Sequence, residues 1–167
     1  MMNAVRRNLA LYSSILLIAG LSACATTPVP PAPTTLAETL ARQSQLSTFN
    51  RLIEQAGLRD SLNGAGPLTV LAPSDDAFKA VPAQALDALS QNPAQLKAVL
   101  NYHIFQGKML GSDFQNGTVK TLNGATIATA RAGTFLTVED AVVQQTDLVA
   151  TNGVAHVIDR VLMPAKK

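Results

Sequence analysis

The spacing of the apolar residues changes once along the chain, near Gly117, and that change limits the fold more than any other feature. Before it, Leu36 and Leu40, then Phe49, Leu52, Ile53 and Ala56, recur at helical spacing, and Gly57 follows as a stop. One β-rich run, "LTVLAP", interrupts this half and ends at Pro73. Short helices are expected from Ser74, from Pro82 and from Asn92-Pro93, where asparagine caps and proline takes the first turn. Leu96, Val99, Leu100 and His103 fall at i, i+3, i+4 and i+7 on the last of these. After the change, "TVKTL" and "ATIATA" flank Asn123-Gly124, a hairpin signal with a primed turn expected. "TFLTVE", "AVVQQ" and "GVAHVIDRVL" follow as strands, with Gly133 and Asn152-Gly153 between them. Helices first, strands afterwards and one early strand give an α+β domain rather than a βαβ wind, without internal repeats.

The first residues are set apart from this fold. "MMNAVRRN" is a basic head and "LALYSSILLIAGL" an apolar run of signal-peptide length, too short for a comfortable membrane span. The run ends in Leu21-Ser22-Ala23-Cys24 and resembles a bacterial lipobox, in which the cysteine is acylated and the peptide is cut before it. An ordinary secretory signal is the plainer alternative, but Cys24 is the only cysteine and stands at the position a lipobox requires. Arg6-Arg7 fits a twin-arginine route poorly, which leaves general secretion. Two or three acyl chains, at about 0.8 kcal/mol per buried methylene, would hold the chain to a bilayer. With no second cysteine there is no disulfide, so stability must come from the core.

Removing Arg6 and Arg7 leaves eleven basic against eleven acidic residues, a neutral mature chain. Neutrality, the absence of a Lys/Arg cluster and few aromatics argue against nucleic acid as a partner and give no support to a basic glycan-binding patch. Residues 25 to 35, "ATTPVPPAPTT", favour polyproline II and form a tether reaching on the order of 30 Å. The expected organisation is a signal peptide over 1–23, the acylated Cys24 and tether over 24–35, and one monomeric domain over 36–167.

Three stretches together resemble the fasciclin domain family. "TVLAPSDDAF", Thr69 to Phe78, is similar to its first hallmark segment, including Pro73, Ser74 and Asp75; Leu71 stands where phenylalanine is common, a volume-similar exchange. Tyr102-His103, with Val99, Leu100 and Ile104 around it, resembles its tyrosine-histidine motif. "TNGVAHVIDRVLMP" is similar to its second hallmark, with Asn152, Gly153, His156 and Asp159 in the expected order. The resemblance implies a β-wedge of mostly antiparallel strands packed with several helices, and a non-enzymatic role in adhesion or extracellular binding to protein or glycan. It also implies Tyr102, His103 and Ile104 as a binding segment, since this motif has been linked to integrin engagement in animal relatives. The same three residues, flanked by aliphatics, are expected to pack inward.

Asp75-Asp76 could hold Mg²⁺ or serve phosphoryl chemistry, but a hard cation needs several oxygen ligands and no second acidic cluster exists. The competing reading makes them a helix start, with Ser74 or Asp75 capping amide donors and both carboxylates at the positive end of the helix dipole. His103 and His156 lack metal-ligand spacing; His103 is expected to hydrogen-bond Asp75 in the core. No Gly-x-Ser-x-Gly elbow supports a hydrolase. Asn116-Gly117-Thr118 is a glycosylation sequon by letter, which goes unused in a bacterial lipobox chain. No metal and no cofactor are therefore expected. A periplasmic small-ligand or metal-binding protein, hydrolytic in one version, using Asp75, Asp76, His103 and His156, stays as the alternative. Ala25 after the cysteine is not the aspartate of inner-membrane retention, so an outer-membrane lipoprotein facing the periplasm or the outside is expected.

Overall fold

A computed structural model describes residues 34–164. The expected signal peptide, Cys24 and most of the tether lie outside the described residues. Thr34 and Thr35 are tied to the domain: the Thr151 amide donates to the Thr34 carbonyl at 2.9 Å, and Thr35 caps the first helix.

Six short helices fill the first half: α1 Leu36–Ala41, α2 Ser47–Gln55, α3 Arg59–Asn63, α4 Asp75–Lys79, α5 Ala83–Gln91 and α6 Pro93–Tyr102. Their starts follow local chemistry. Ser74 Oγ accepts the Ala77 amide at α4, and Asn92 Oδ1 accepts the Gln95 amide at α6, with Pro93 in the first turn. Gly57, at φ +67°, ends α2 in the left-handed region, which costs glycine little.

Seven strands, β1 Leu68–Pro73, β2 Ile104–Gln106, β3 Gly117–Lys120, β4 Thr126–Ala132, β5 Phe135–Val138, β6 Ala141–Ala150 and β7 Gly153–Ile158, form one sheet in the order β2-β1-β7-β6-β5-β4-β3. All neighbouring pairs are antiparallel except β1 and β7, which run parallel with Thr69 opposite Val154. The sheet curls until its ends meet. Phe105 bridges to Thr121, and the Leu122 amide donates to the Ile104 carbonyl at 2.8 Å. This is the expected α+β wedge, bent almost into a barrel.

Strands β1 and β7 are buried on both faces, which explains why both are apolar without alternation. One face, with Val70, Ala72, Ala155 and Val157, packs against Leu36, Leu40, Phe49, Leu52 and Leu100 of the helices. The other, with Leu71 and Ile158, faces the inside of the curled sheet among Phe105, Phe114, Ile127, Leu136 and Val138. The two cores share these central strands.

Three details differ from the sequence expectation. The hairpin at Asn123-Gly124 is not primed: only Gly124, at φ +87°, is left-handed, and its amide returns to the Thr121 carbonyl at 3.0 Å, a longer loop closed by glycine. Strand β7 stops at Ile158, because Asp159 turns the chain and Val161-Leu162 pack against the cores instead of continuing the sheet. Strand β2 and helix α3, three and five residues long, are too short to show a period.

Candidate functional site

Ser74 closes its own helix, whereas Asp75 reaches back to another: its carboxylate accepts the Ser47 hydroxyl and the Thr48 amide, each at 2.8 Å. Helix α2 has no side-chain cap in its own sequence, and Asp75 supplies one from 27 residues downstream. Burial acts to raise the Asp75 carboxyl, but the Thr48 amide and Ser47 hydroxyl outweigh it and hold it below the usual value. Asp76 points to solvent and pairs with Lys79 at 2.7 Å on the exposed side of α4.

The expected bond between His103 and Asp75 is not formed. His103 is fully buried at the end of α6, where Nδ1–H donates to the Val99 carbonyl at 2.8 Å and Nε2 accepts the Leu162 amide at 3.0 Å. A backbone amide can only donate, so this geometry fixes the neutral ring in one tautomer. Burial lowers the imidazole to about 4, against the pull of the Val99 carbonyl. The ring joins helix α6 to the chain's last described segment and packs near Phe49, with ring centroids 6.3 Å apart.

His156 has the same arrangement in the other core. Its Nε2–H donates to the Met109 carbonyl at 2.8 Å, its Nδ1 accepts the Asp147 amide at 3.3 Å, and its ring meets Phe114 edge-on at 5.2 Å. Burial lowers this imidazole too, opposed by the Met109 carbonyl and the Asp147 charge.

The remaining hallmarks also hold main chain. Thr69 Oγ1 donates to the Gly107 carbonyl at 2.6 Å and accepts the Met109 amide at 3.0 Å. Asn152 accepts the Leu36 amide at 2.8 Å and donates to the Leu62 and Gly64 carbonyls at 2.7 and 2.9 Å, joining α1 and α3 to the β6–β7 turn. Asp159 accepts the Val142 amide at 2.6 Å. Gly153 is required by proximity: a Cβ there would lie 2.0 Å from the Leu68 carbonyl oxygen of its parallel partner. Pro73 ends β1, and Phe78, one turn into α4, enters the helix-side core.

Tyr102, His103 and Ile104 are 5%, 1% and 1% exposed. The Tyr102 hydroxyl donates to the Glu139 carboxylate; burial first, then that bond and its charge, push the phenol up to about 12. Asp75, Asp76, His103 and His156 thus each serve a different part of the fold and do not converge. Among the described residues no group of three or more His, Cys, Asp or Glu is placed to hold a metal ion.

One polar cleft stands outside the hallmark motifs. Ser112, Gln115, Asn116 and Arg131 line it beside Gly133, with Phe114 at its floor. A signal existed in strand β4, where Ile127 and Thr129 are buried and the next residue of the same parity is Arg131, an exposed charge where that buried row ends.

The comparisons agree with this architecture. The family model described as Fasciclin domain matches residues 44–164. Protein sll1483 of Synechocystis is 36% identical over 132 residues, covering 78% of this chain and 73% of the relative. Periostin of Homo sapiens is 32% identical over 140 residues, covering 82% of this chain but 17% of that much longer protein. A solved FAS1 domain pair from the insect cell adhesion molecule Fasciclin I superposes with a TM-score of 0.65 at 19% identity, over 78% of this chain and 51% of that one, a likeness of fold. Hallmark residues that cap, clamp and close this fold, and a family match running from the 3₁₀ turn before α2 to the last described residue, establish that the chain belongs to the fasciclin domain family.

Proposed function

We propose that the chain is a non-enzymatic adhesion or binding module of the cell envelope, exported, held to a membrane by acyl chains on Cys24, and presenting its fasciclin domain on the proline-rich segment to a protein or glycan partner. The family match over 44–164 carries this reading. The hydrogen bonds within the domain support it: Ser74, Asp75, His103, Asn152, His156 and Asp159 all engage main-chain groups, as residues of a scaffold do. The tyrosine-histidine segment supports the domain from within, and contact falls to the outer surface, where Phe135 is 69% and Val149 55% exposed. Among the described residues no helix is long and apolar enough to cross a membrane, and Cys24 supplies attachment without one. Ala25 favours the outer membrane of a two-membrane cell.

The test is retention from envelope and matrix extracts by the immobilised chain, folded against heat-unfolded. Specific retention by the folded chain is expected; equal retention by both would remove the binding claim.

A further inference from the structure

The cleft between the 111–116 loop and the end of strand β4 has an organised donor set. Arg131 Nη1 donates to the Gly111 carbonyl at 2.6 Å and Nε to the Gly133 carbonyl at 3.2 Å. Two bonds to main chain from one planar guanidinium fix its orientation, and among the described residues Nη2 donates to no partner. No carboxylate among the described residues forms an ion pair with Arg131. Two acids on the loop side bind its main chain rather than the guanidinium: Asp113 accepts the Leu110 amide and the Ser112 hydroxyl, and Asp147 accepts the amide of Gly111, the residue whose carbonyl anchors Arg131.

Asn116 is oriented by the same strand. The Arg131 amide, which can only donate, binds Asn116 Oδ1 at 2.7 Å, so the amide group of Asn116 leaves its two Nδ2 protons for the cleft. The exposed Gln115 and Ser112 add an amide and a hydroxyl around an open volume of about 560 Å³. The result is an oriented cation and an oriented amide donor in one shallow cleft whose lining is mostly polar around Phe114. An oxyanion matches these donors, and a hydroxyl-rich body matches the remaining rim.

We infer that this cleft binds the carboxylate of an acidic saccharide, a uronic-acid unit whose oxygens meet Arg131 Nη2 and Asn116 Nδ2 and whose hydroxyls meet Gln115 and Ser112. The assignment names a ligand class within the binding-module reading and rests on that reading for the source of its ligand. The cleft itself is measured with soluble ligands, without membrane or partner. Failure here leaves adhesion by the folded domain standing, and failure of adhesion leaves the cleft standing.

The experiment is calorimetric titration of the full chain in detergent micelles with trigalacturonate, its methyl ester and triglutamate. Trigalacturonate is expected to bind saturably, and the ester and triglutamate about tenfold more weakly or worse. Asn116→Asp keeps the acceptor for the Arg131 amide and replaces the donor with a carboxylate. It is expected to leave the melting curve in place while weakening trigalacturonate about tenfold or more. Arg131→Gln, which removes the charge, is expected to do the same to binding. Equal binding of the ester, unchanged affinity in Asn116→Asp, or no saturable heat at millimolar ligand would overturn the assignment. Equal binding of triglutamate would overturn the saccharide and give the cleft to peptide carboxylates.

Discussion

At the scale of single residues, polar groups that resemble catalysts act as braces. Asp75→Asn removes the charged cap of α2 and is expected to cost about 1 kcal/mol, several degrees of melting temperature, whereas Asp76→Asn, at an exposed pair, leaves the melt within about a degree. Equal effects from the two would contradict the division of roles. The buried histidines give a pH dependence of defined sign. Both are held neutral in the folded chain and take up a proton on unfolding below about pH 6.5, so their contribution is complete above that pH. It falls as the pH drops, for His103 down to about 4, by up to about 1.4 kcal/mol per pH unit for each ring. Asp75, whose carboxyl is depressed, adds a loss only at still lower pH. His103→Gln keeps a donor and an acceptor but cannot titrate. Urea midpoints between pH 7 and 4.5 are expected to change less steeply in that variant, and an unchanged slope would show that His103 does not carry the effect.

At the scale of elements, the parallel pair β1–β7 is the joint between the two cores, and its close contact at Gly153 is the most sensitive point. Gly153→Ala drives a methyl into the Leu68 carbonyl and into a Leu36 methyl carbon 2.6 Å away, and is expected to destabilise by more than about 3 kcal/mol. A cooperative melt at the parent temperature would contradict the pairing. Asn152→Ala, which frees the Leu36 amide and two carbonyls, is expected to cost about 2 kcal/mol by the same assay. The elements themselves were legible to the extent that their signals are local. Ser74, Asn92 and Pro93 mark helix starts within three residues of the groups they cap, and the sequence placed those starts correctly. No primed turn forms at Asn123-Gly124, because asparagine-glycine also suits a longer loop in which only the glycine is left-handed. The β1–β7 pairing joins segments 85 positions apart, Leu68 to Gly153, and no local period reports it.

At the scale of the whole molecule, the family was legible and the individual roles were not. Three ordered motifs identify a fasciclin domain, but the partner of Asp75 lies at Thr48, that of His103 at Leu162 and those of Asn152 at Leu36, Leu62 and Gly64. Such pairings exist only once the sheet has curled and brought α2, α6 and the last segment together. The Arg131 cleft was hidden for the same reason, since its guanidinium is fixed by carbonyls twenty residues earlier and two residues later. The proposed role is a folded surface presented to a partner from a membrane. Adhesion of cells carrying the full chain to surfaces coated with envelope or matrix material, compared with cells carrying Cys24→Ala, tests this most directly. The parent is expected to raise adhesion, and Cys24→Ala to lose it while the released chain competes in solution. Equal adhesion with Cys24→Ala, or without the chain at all, would contradict it.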